Sequence, residues 1–262
     1  EVAQKFNTNH RVFSLTSDDL LAEVDHMLDY LDMPFGDSSA LPVYILSKET
    51  SKHVTVALSG DGGDELFSGY HKHRGEWLAR KHKSKLAALK WMLPILNLFP
   101  ASRQSTLGNK VRQIKKLLKA GTLSSFERYR LLAGVESDRW PEELLRAPAA
   151  LEEERSFLLD LLGDFPNPGS LNDVLRADLS MVLPYDMLTK VDLMSMAHSL
   201  EVRVPLLDYR LVNFVHGLPQ AFKMDSRQKK KLLIAAFSDL LPEAVYNRPK
   251  KGFEVPLLEW FR

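Results

Sequence analysis

The sequence predicts an α/β fold in which part of a parallel sheet is followed by a mostly helical region. Residues 54–58, Val-Thr-Val-Ala-Leu, form a short apolar run rich in β-branched residues, as expected of a strand buried on both faces of a parallel sheet. A polar Gly-rich loop follows that run at once, and elsewhere the apolar residues recur mainly at helical spacing. We therefore divide the chain into an α/β part, residues 1–70, and a mainly helical part, residues 71–262.

Helices are predicted before and after this strand. The run Thr16-Ser17-Asp18-Asp19 is typical of a helix start, and apolar residues then recur at helical spacing up to Leu31. A second, short helix is predicted after Ser38-Ser39, because Pro42 then falls in its first turn. Beyond the loop the same periodicity predicts further helices and no further strand, with helices at about 75–92, 108–119, 124–133, 141–162, 171–182, 185–199, 207–216 and 228–241.

Composition places the chain among ordinary globular proteins. Of its 262 residues, 45% are hydrophobic and 26% are charged, and none is cysteine. The lack of cysteine excludes disulfides, zinc-thiolate sites, thiol nucleophiles and iron–sulfur clusters. No apolar run approaches the ~20 residues of a membrane span, and no signal segment opens the chain. We therefore expect a soluble, cytoplasmic protein.

Charge is sorted along the chain. Residues 71–120 contain 13 Lys or Arg and a single acid, Glu76, although the net charge of the whole chain is only +1. A basic segment of this kind could bind nucleic acid, but it lacks the interleaved aromatic residues of nucleic-acid-binding proteins. A solvated helical face explains its charge as well. The apolar run at 86–96 contains Pro94 and is short, which favours a packed helix over a membrane-bound one. We expect neither a nucleic-acid nor a membrane partner.

The loop at 59–65, Ser-Gly-Asp-Gly-Gly-Asp-Glu, is the stretch best suited to chemistry. It follows the predicted strand, and ligands in parallel α/β sheets bind beyond the carboxyl ends of the strands. Its three glycines let the backbone approach a bound group, and its three acids can hold Mg²⁺ or accept a proton. An ordinary turn with helix-capping acids explains the same residues, so local chemistry leaves both interpretations open. The spacing of the acids does not match a calcium-binding loop.

Three stretches resemble the asparagine synthetases that use glutamine. Residues 59–70, SGDGGDELFSGY, are similar to the SG(D/E)G(G/S)DE-x-F-x-G-Y signature of that family. A second block, from Asp178 to Asp208, resembles the same family and includes the runs MLTKVD, SMA and LEVRVPLLD. A third, the run RPKKGF at 248–253, resembles its mobile loop, in which Lys250 aligns with the lysine that reaches the ATP phosphates. The resemblance covers nearly the whole chain and is loosest at 71–170.

This resemblance implies an adenine nucleotide alpha hydrolase-like fold of the PP-loop ATP pyrophosphatase type. It also implies that ATP adenylates the side-chain carboxylate of aspartate with release of pyrophosphate, after which ammonia from glutamine gives asparagine and AMP. The expected cofactors are ATP and Mg²⁺. The expected partners are aspartate, ammonia and a glutaminase domain on the same full-length chain, and a homodimer is a further expectation.

The resemblance also assigns roles to individual residues. The residues expected to bind the nucleotide are Ser59, Gly60, Gly62, Gly63 and Asp64. Asp64 is the expected metal ligand, holding Mg-pyrophosphate, and Asp61 stands where the family has Glu or Asp to accept a proton from ammonia. Lys250 meets the charge that develops on the phosphates during adenylation. Without the family context, Lys250 beside Lys251 is typical of a solvated basic residue.

Two features of the family are not found in this sequence, the SGG-x-DS loop and the glutaminase domain with its N-terminal cysteine. We therefore expect a synthetase domain over 1–262 that is truncated at its N-terminus and inactive by itself. Two other functions stay open. One is the same chemistry on another carboxylate, as in β-lactam synthetases or the tailoring amidotransferases of peptide and polysaccharide pathways. The other is a non-catalytic helical module that binds an acidic partner, although the acids at 61, 64 and 65 argue against it.

Charged residues of the second block are expected to serve the scaffold rather than a substrate. Lys190 and Asp192 face different directions on a helix, and Glu201, Arg203 and Asp208 flank a Pro-containing turn. Buried ion pairs that hold helices together explain them. The eight histidines show no spacing typical of a zinc site.

Overall fold

The computed structural model describes residues 1–100, 105–134, 149–162, 165, 169–247, 255 and 257–260. No helix within these ranges is long and apolar enough to cross a membrane. Most of the described chain is helical, and it divides into two compact units. Unit 1 comprises Glu1–Gly63, Val182–Val215 and Lys231–Arg262, and unit 2 comprises Asp64–Met181 and His216–Lys230.

The helices and strands follow one another in an order that the sequence anticipates in part. Before the Gly-rich loop lie α1 (Val2–Lys5), α2 (Ser17–Ala22), α3 (Val24–Tyr30), α4 (Ala40–Ser51) and β1 (Val56–Leu58). After it come α5 (Gly63–Phe67), α6 (His71–Lys81), α7 (Lys83–Leu89), a 3₁₀ turn (Lys90–Met92), α8 (Leu93–Asn97), α9 (Thr106–Ala120), α10 (Ser125–Ala133), α11 (Ala149–Leu162) and α12 (Leu171–Ala177). The chain continues with a π-helix (Asp178–Leu188), α13 (Thr189–Met196), β2 (Glu201–Arg203), a 3₁₀ turn (Pro205–Leu207), α14 (Tyr209–Gly217), α15 (Gln220–Lys223), α16 (Lys231–Phe237), α17 (Glu243–Asn247) and α18 (Leu257–Trp260).

The sheet of unit 1 consists of β1 and β2, which pair in parallel with Ala57 opposite Val202. The Glu201 amide donates to the Thr55 carbonyl, and the Ser59 amide donates to the Arg203 carbonyl, both at 2.9 Å. The parallel pairing agrees with the predicted α/β class. The prediction that no strand follows the loop is wrong, because β2 has only three residues, too few to show the alternation of a strand.

The prediction that this strand is buried on both faces is also wrong. Val56 is 39% exposed and Leu58 is 73% exposed, whereas Ala57 between them is half-buried. Successive side chains of a strand point to opposite faces of the sheet. Among the described residues, therefore, only one face of β1 is covered.

The core of unit 1 forms where α4 packs against α13. Ala40 and Leu41 on α4 and Met194 on α13 are almost completely buried. Lys190 on α13 is buried beside them, and its ammonium donates to Asp37 Oδ2 at 2.6 Å and to Ser39 Oγ at 2.9 Å. The predicted scaffold role of Lys190 is therefore supported by a buried ion pair.

Other charged residues of the second block do not form the buried pairs that the sequence predicts. Glu201 pairs with Arg203 at 2.8 Å, but both side chains are more than half exposed. Asp208 pairs with Arg210 at 2.8 Å, also at the surface. Asp192 is exposed and lines a cleft of about 450 Å³ beside β2. Surface pairs of this kind contribute little to stability, so the prediction was correct for Lys190 alone.

Two predicted helix starts are confirmed, and each has a capping box. Thr16 and Asp19 form a capping box at the start of α2, in which each side chain accepts from the backbone N–H of the other. Ser124 and Glu127 form another at the start of α10. The predicted helix up to Leu31 is interrupted at Glu23, because α2 ends at Ala22 and α3 begins at Val24.

Two apolar clusters form among the described residues of unit 2. One contains the buried residues of α10, α12 and the segment that follows α15, with Tyr129, Leu171 and Met224 at its centre. The other joins α6, α7 and α9 through Ala79, Leu86 and other small or aliphatic side chains. The basic segment 71–120 therefore packs an apolar side into unit 2, although the apolar run at 86–96, predicted as one packed helix, is divided among α7, the 3₁₀ turn and α8.

The π-helix at 178–188 is the largest departure from the predicted helical pattern. The sequence predicts one helix up to residue 182 and another from 185, but the structure continues in wider turns through Pro184. Proline has no N–H to donate and clashes with the carbonyl four residues before it, so a regular α-helix is disfavoured there. The Thr189 hydroxyl donates to the Pro184 carbonyl at 2.7 Å, a side-chain contact across these wider turns.

A buried ionic cluster joins helices in unit 2. Glu76 on α6 is 1% exposed, and its Oε1 accepts from Arg80 Nε at 2.6 Å and from Arg128 Nε, on α10, at 2.8 Å. Arg80 also donates to the Gly169 carbonyl, before α12. This one carboxylate therefore compensates two guanidinium groups at the junction of three helices.

Lys223 should make the stability of the protein depend on pH in the alkaline range. It is 1% exposed, and burial lowers its pKa from 10.5 to about 8. Between these two values the unfolded chain binds a proton that the native chain has lost, so native stability should rise with pH through this window. Lys223→Met should therefore raise the free energy of unfolding at pH 7 by on the order of 1–3 kcal/mol.

Urea denaturation at pH 7 and pH 10 measures this effect. The advantage of Lys223→Met should shrink at pH 10, where the wild-type lysine is largely neutral in the native state. The surface substitution Lys52→Met, on a side chain that is 55% exposed, serves as the control and should show no such pH dependence. An equal advantage at both pH values would contradict a depressed pKa of Lys223.

Candidate functional site

The first half of the Gly-rich loop belongs to unit 1 and continues directly from β1. The Ser59 hydroxyl donates to the Asp61 carboxylate, and the Asp61 amide donates back to Ser59 Oγ at 3.3 Å. The Gly63 amide then donates to the Gly60 carbonyl at 3.3 Å and closes the turn. The structure thus brings Ser59 and Asp61 together, with both side chains half-buried.

The glycines of this turn have distinct roles. Gly62 has a φ of +80°, a conformation that glycine adopts without strain, and a Cβ there would overlap the Leu207 side chain. A Cβ added to Gly60 would meet nothing within 4 Å, so the space beside its backbone is open. Gly62 therefore serves the packing of the turn, while Gly60 leaves its backbone accessible.

Asp64 begins unit 2 and lies against Gly69. Its Oδ1 is 3.0 Å from the ammonium of Lys230, and its backbone carbonyl accepts from the Gly69 amide at 2.9 Å. A Cβ added to Gly69 would overlap both the Asp64 carboxylate and the Lys230 side chain. The glycine of the FSGY run therefore leaves the space that this carboxylate and this ammonium occupy.

Lys230 is a candidate site residue that the sequence analysis missed. It has a φ of +54°, unusual for a residue with a side chain, and its amide donates to the Phe67 carbonyl at 3.1 Å. The neighbouring Lys229 donates from its ammonium to the Gly69 carbonyl at 2.6 Å. Strained backbone of this kind is concentrated at functional sites.

The sequence predicts a helix from about 228, which places these lysines inside it. In the structure α16 begins only at Lys231, after a tight turn in which the Asp225 amide donates to the Gln228 carbonyl. The Asp225 carboxylate accepts the amides of Arg227 and Gln228, as aspartate does at the start of turns. The Asp-Ser-Arg run was the local signal that could have moved the predicted helix start.

Glu65 is buried directly after Asp64. It is 1% exposed, and the Tyr70 hydroxyl donates to its Oε1 at 2.6 Å. Burial raises the pKa of Glu65, since the hydrogen bond from Tyr70 only partly offsets the loss of solvation. Of the three acids of the loop, Glu65 is therefore least suited to contact a ligand.

Lys250, the other predicted catalytic residue, lies outside the described residues, as does the whole RPKKGF run around it. Among the described residues, no three histidine, aspartate or glutamate side chains are grouped as a complete metal site. The described candidate residues are therefore Ser59 and Asp61, which form a turn in unit 1, and Asp64 and Lys230, which form an ion pair in unit 2.

Comparison with known proteins identifies a family over the whole chain. The family profile described as Asparagine synthase matches residues 1–262. Asparagine synthetase [glutamine-hydrolyzing] 1 of Bacillus subtilis (strain 168) is 31% identical over 248 residues, which cover 95% of this chain and 38% of that protein. A putative asparagine synthetase [glutamine-hydrolyzing] of Mycobacterium tuberculosis (strain ATCC 25618 / H37Rv) is 29% identical over 279 residues, covering 99% of this chain and 39% of that protein.

These relatives are longer than the chain, which spans about two fifths of their length. No solved structure matches it. The family match runs through the loop at 59–65 and through the segment that carries Lys230, so it includes every described part of the candidate site. With a profile that matches from the first residue to the last, this chain belongs to the asparagine synthase family.

Proposed function

We propose that the full-length protein is an ATP-dependent amide-forming ligase that makes asparagine. In this proposal ATP adenylates the side-chain carboxylate of aspartate with release of pyrophosphate, and ammonia from glutamine then gives asparagine and AMP. The observation that carries the proposal is the Asp64 carboxylate, held between Gly69 and the Lys230 ammonium within a loop that resembles the family's signature. The names of the relatives, asparagine synthetases [glutamine-hydrolyzing], support the same reaction.

The residues present fit a magnesium–phosphate group. Mg²⁺ bound with a nucleotide needs one or two carboxylates and takes its remaining ligands from phosphate and water. Asp64 supplies such a carboxylate, and Lys230 beside it supplies a cation for the phosphate charge. The metal would neutralise charge on the pyrophosphate that leaves during adenylation. We assign Asp64 as its protein ligand.

The remaining residues of the loop are proposed to bind the nucleotide and the nucleophile. The open space beside the Gly60 backbone supports an approach of the nucleotide there, with Ser59, Gly62 and Gly63 shaping the turn. Asp61, whose carboxylate accepts from Ser59, is proposed to take a proton as ammonia attacks the activated acyl group. Lys250 is proposed to contact the ATP phosphates during adenylation, as the family resemblance implies.

Carboxylates do not react with ammonia unaided. The reaction needs a good leaving group on the acyl carbon and a base for the attacking ammonia, and the proposed residues assist both steps. Adenylation places a good leaving group on the acyl carbon, and the cations of Lys230 and Lys250 stabilise the charge that develops on the departing pyrophosphate. The attack by ammonia then requires loss of a proton, for which Asp61 supplies a carboxylate base. AMP departs as the amide forms.

Fold and organisation belong to the same proposal. The parallel strands β1 and β2 and the loop that follows β1 support a PP-loop type, adenine nucleotide alpha hydrolase-like fold. We propose that 1–262 is one synthetase domain, that its nucleotide-binding part lies within about 1–70, and that a glutaminase domain of the full-length protein delivers ammonia.

Asp64→Asn and Lys230→Met should each abolish most of the adenylation activity of the full-length protein. Each removes one of the charges that the magnesium–pyrophosphate group requires, and we expect kcat/KM to fall by about 10²–10³-fold. Pyrophosphate and asparagine are measured together with ATP, Mg²⁺, aspartate and ammonium as substrates, and Lys250→Ala is included as a third variant. Lys52→Met, at an exposed lysine directly after α4, is the matched lysine control and should retain activity.

The pair of products separates the possible outcomes. Pyrophosphate and asparagine in equal amounts support the proposal, whereas pyrophosphate without asparagine indicates another carboxylate or nucleophile. If a folded full-length protein forms neither pyrophosphate nor asparagine, the proposed ligase activity is ruled out.

A further inference from the structure

Asp178 is a fully buried carboxylate surrounded by three donors in unit 2. It is 0% exposed, and Oδ1 accepts from the Lys72 ammonium at 2.7 Å and from the Tyr129 hydroxyl at 2.8 Å. Its Oδ2 lies 2.6 Å from Nε2 of His73, which is also completely buried. This one carboxylate therefore links three side chains from two helices, α6 and α10.

The charges within this cluster are well defined. Burial by itself raises the pKa of Asp178, but the hydrogen bond from His73 and the charge of Lys72 outweigh it and hold the pKa below its ordinary value. Burial lowers the pKa of His73, despite its contact with Asp178, so the neutral ring donates Nε2–H to the carboxylate. The cluster therefore consists of an ionised aspartate, a lysine cation, a neutral imidazole and a phenol.

This cluster is connected to the candidate site through the start of α6. Lys72 and His73 lie in the first turn of that helix, directly after Tyr70. The His73 and Tyr70 rings meet edge to face with centroids 5.4 Å apart, and the Lys72 ammonium lies 5.2 Å from the Tyr70 ring centroid. The Tyr70 hydroxyl in turn donates to Glu65, the neighbour of Asp64.

The helix that carries Asp64, α5, is too short to be stable without contacts to the rest of the protein. Helix α5 has only five residues, and helices this short are unstable without tertiary contacts. The turn after it contains Ser68 at a φ of +62°, which costs free energy and persists only when the surroundings fix it. The placement of Asp64 therefore depends on tertiary contacts of α5, which include the hydrogen bond from Tyr70 to Glu65 as well as the contacts of Lys230 with Asp64 and Phe67.

We propose that Asp178 is a positioning residue that fixes the first turn of α6 through Lys72 and His73 and thereby, through the Tyr70–Glu65 hydrogen bond, holds the Asp64 carboxylate for nucleotide binding. The inference rests on the proposed function for its consequence in catalysis. Its structural part, the ordering of α5 by Asp178, stands without any assumption about the reaction. Nothing in the resemblance to the family assigns this role to Asp178, Lys72 or His73.

A matched control exists on the same helix. Glu76, three residues after His73, also joins α6 to α10 through a buried ionic cluster, but its partners Arg80 and Arg128 do not contact Tyr70 or Glu65 in the hydrogen bonds and ion pairs described above. Asp178→Asn and Glu76→Gln each remove one buried charge from unit 2 and should both lower stability. Only Asp178→Asn should disturb α5 beyond that general loss.

The test compares hydrogen exchange with kinetics in the full-length protein. Amide exchange is followed in peptides that cover 59–70, at a temperature at which circular dichroism shows both variants folded. Asp178→Asn should speed exchange across α5 by at least about 10-fold over Glu76→Gln, since local opening no longer needs to break the anchor. The KM for MgATP should rise in Asp178→Asn and stay near the wild-type value in Glu76→Gln.

A second pair of variants keeps the test independent of misfolding. His73→Gln retains a donor that can reach Asp178, so exchange in 59–70 should stay as slow as in the wild type. His73→Phe keeps the ring volume without a donor, so exchange in 59–70 should become faster. Equal exchange in the Asp178→Asn and Glu76→Gln proteins would overturn the positioning role. Fast exchange in Asp178→Asn together with an inactive wild-type protein would instead refute the ligase while leaving the ordering of α5 by Asp178 established.

Discussion

Gly69→Ala is expected to lower the rate of pyrophosphate release by about 10²-fold while the protein stays folded. A Cβ at this position would overlap the Asp64 carboxylate and the Lys230 side chain, so one of the two must move. A displacement of about 1 Å in a group that positions a reacting phosphate is sufficient for a loss of this size. Steady-state kinetics of the full-length protein, with thermal unfolding measured in parallel, provide the test.

Gly217→Ala is the matched control for this substitution. Gly217 also lies in unit 2, but a Cβ there would meet nothing within 4 Å. The control should therefore leave the rate and the thermal midpoint close to wild type. Wild-type kinetics in Gly69→Ala would contradict the placement of Asp64 and Lys230 against this glycine.

Glu76→Gln is expected to produce the largest loss of stability, about 3–5 kcal/mol in the free energy of unfolding. The substitution removes the carboxylate charge that compensates Arg128, which is 4% exposed, and that also accepts a hydrogen bond from Arg80. Breaking a buried pair costs more than the pair contributes, because the remaining charge has lost its solvent and gains no partner. Equilibrium denaturation in urea measures the change.

Glu49→Gln on α4 provides the comparison at the surface. Glu49 pairs with Lys52 at 2.6 Å, a distance equal to that between Glu76 and Arg80, but the lysine is 55% exposed. Its removal should change the free energy of unfolding by no more than about 0.5 kcal/mol. Similar losses in the two variants would show that burial does not control the strength of the Glu76 cluster.

The parts of the candidate site that could be predicted from the sequence are those formed by residues close together along the chain. The 59–65 loop, its glycines and the strand before it were predicted from residues that are adjacent in sequence. The φ of Gly62 and the Ser59–Asp61 hydrogen bond arise within that short stretch. Lys230 was missed because its contact with Asp64 spans most of the chain, and no local pattern reports such a contact.

Local sequence determined the capped starts of α2 and α10, the α/β class and the Gly-rich loop of this protein, since caps and turns depend on backbone groups within about four residues. Tertiary structure alone decided that β2 pairs with β1 and that His73 meets Asp178, 105 residues away. It also decided that Gly69 makes room for Asp64 and Lys230. Pairing and burial of charges depend on which distant segments pack together, and periodicity along the chain does not encode that choice.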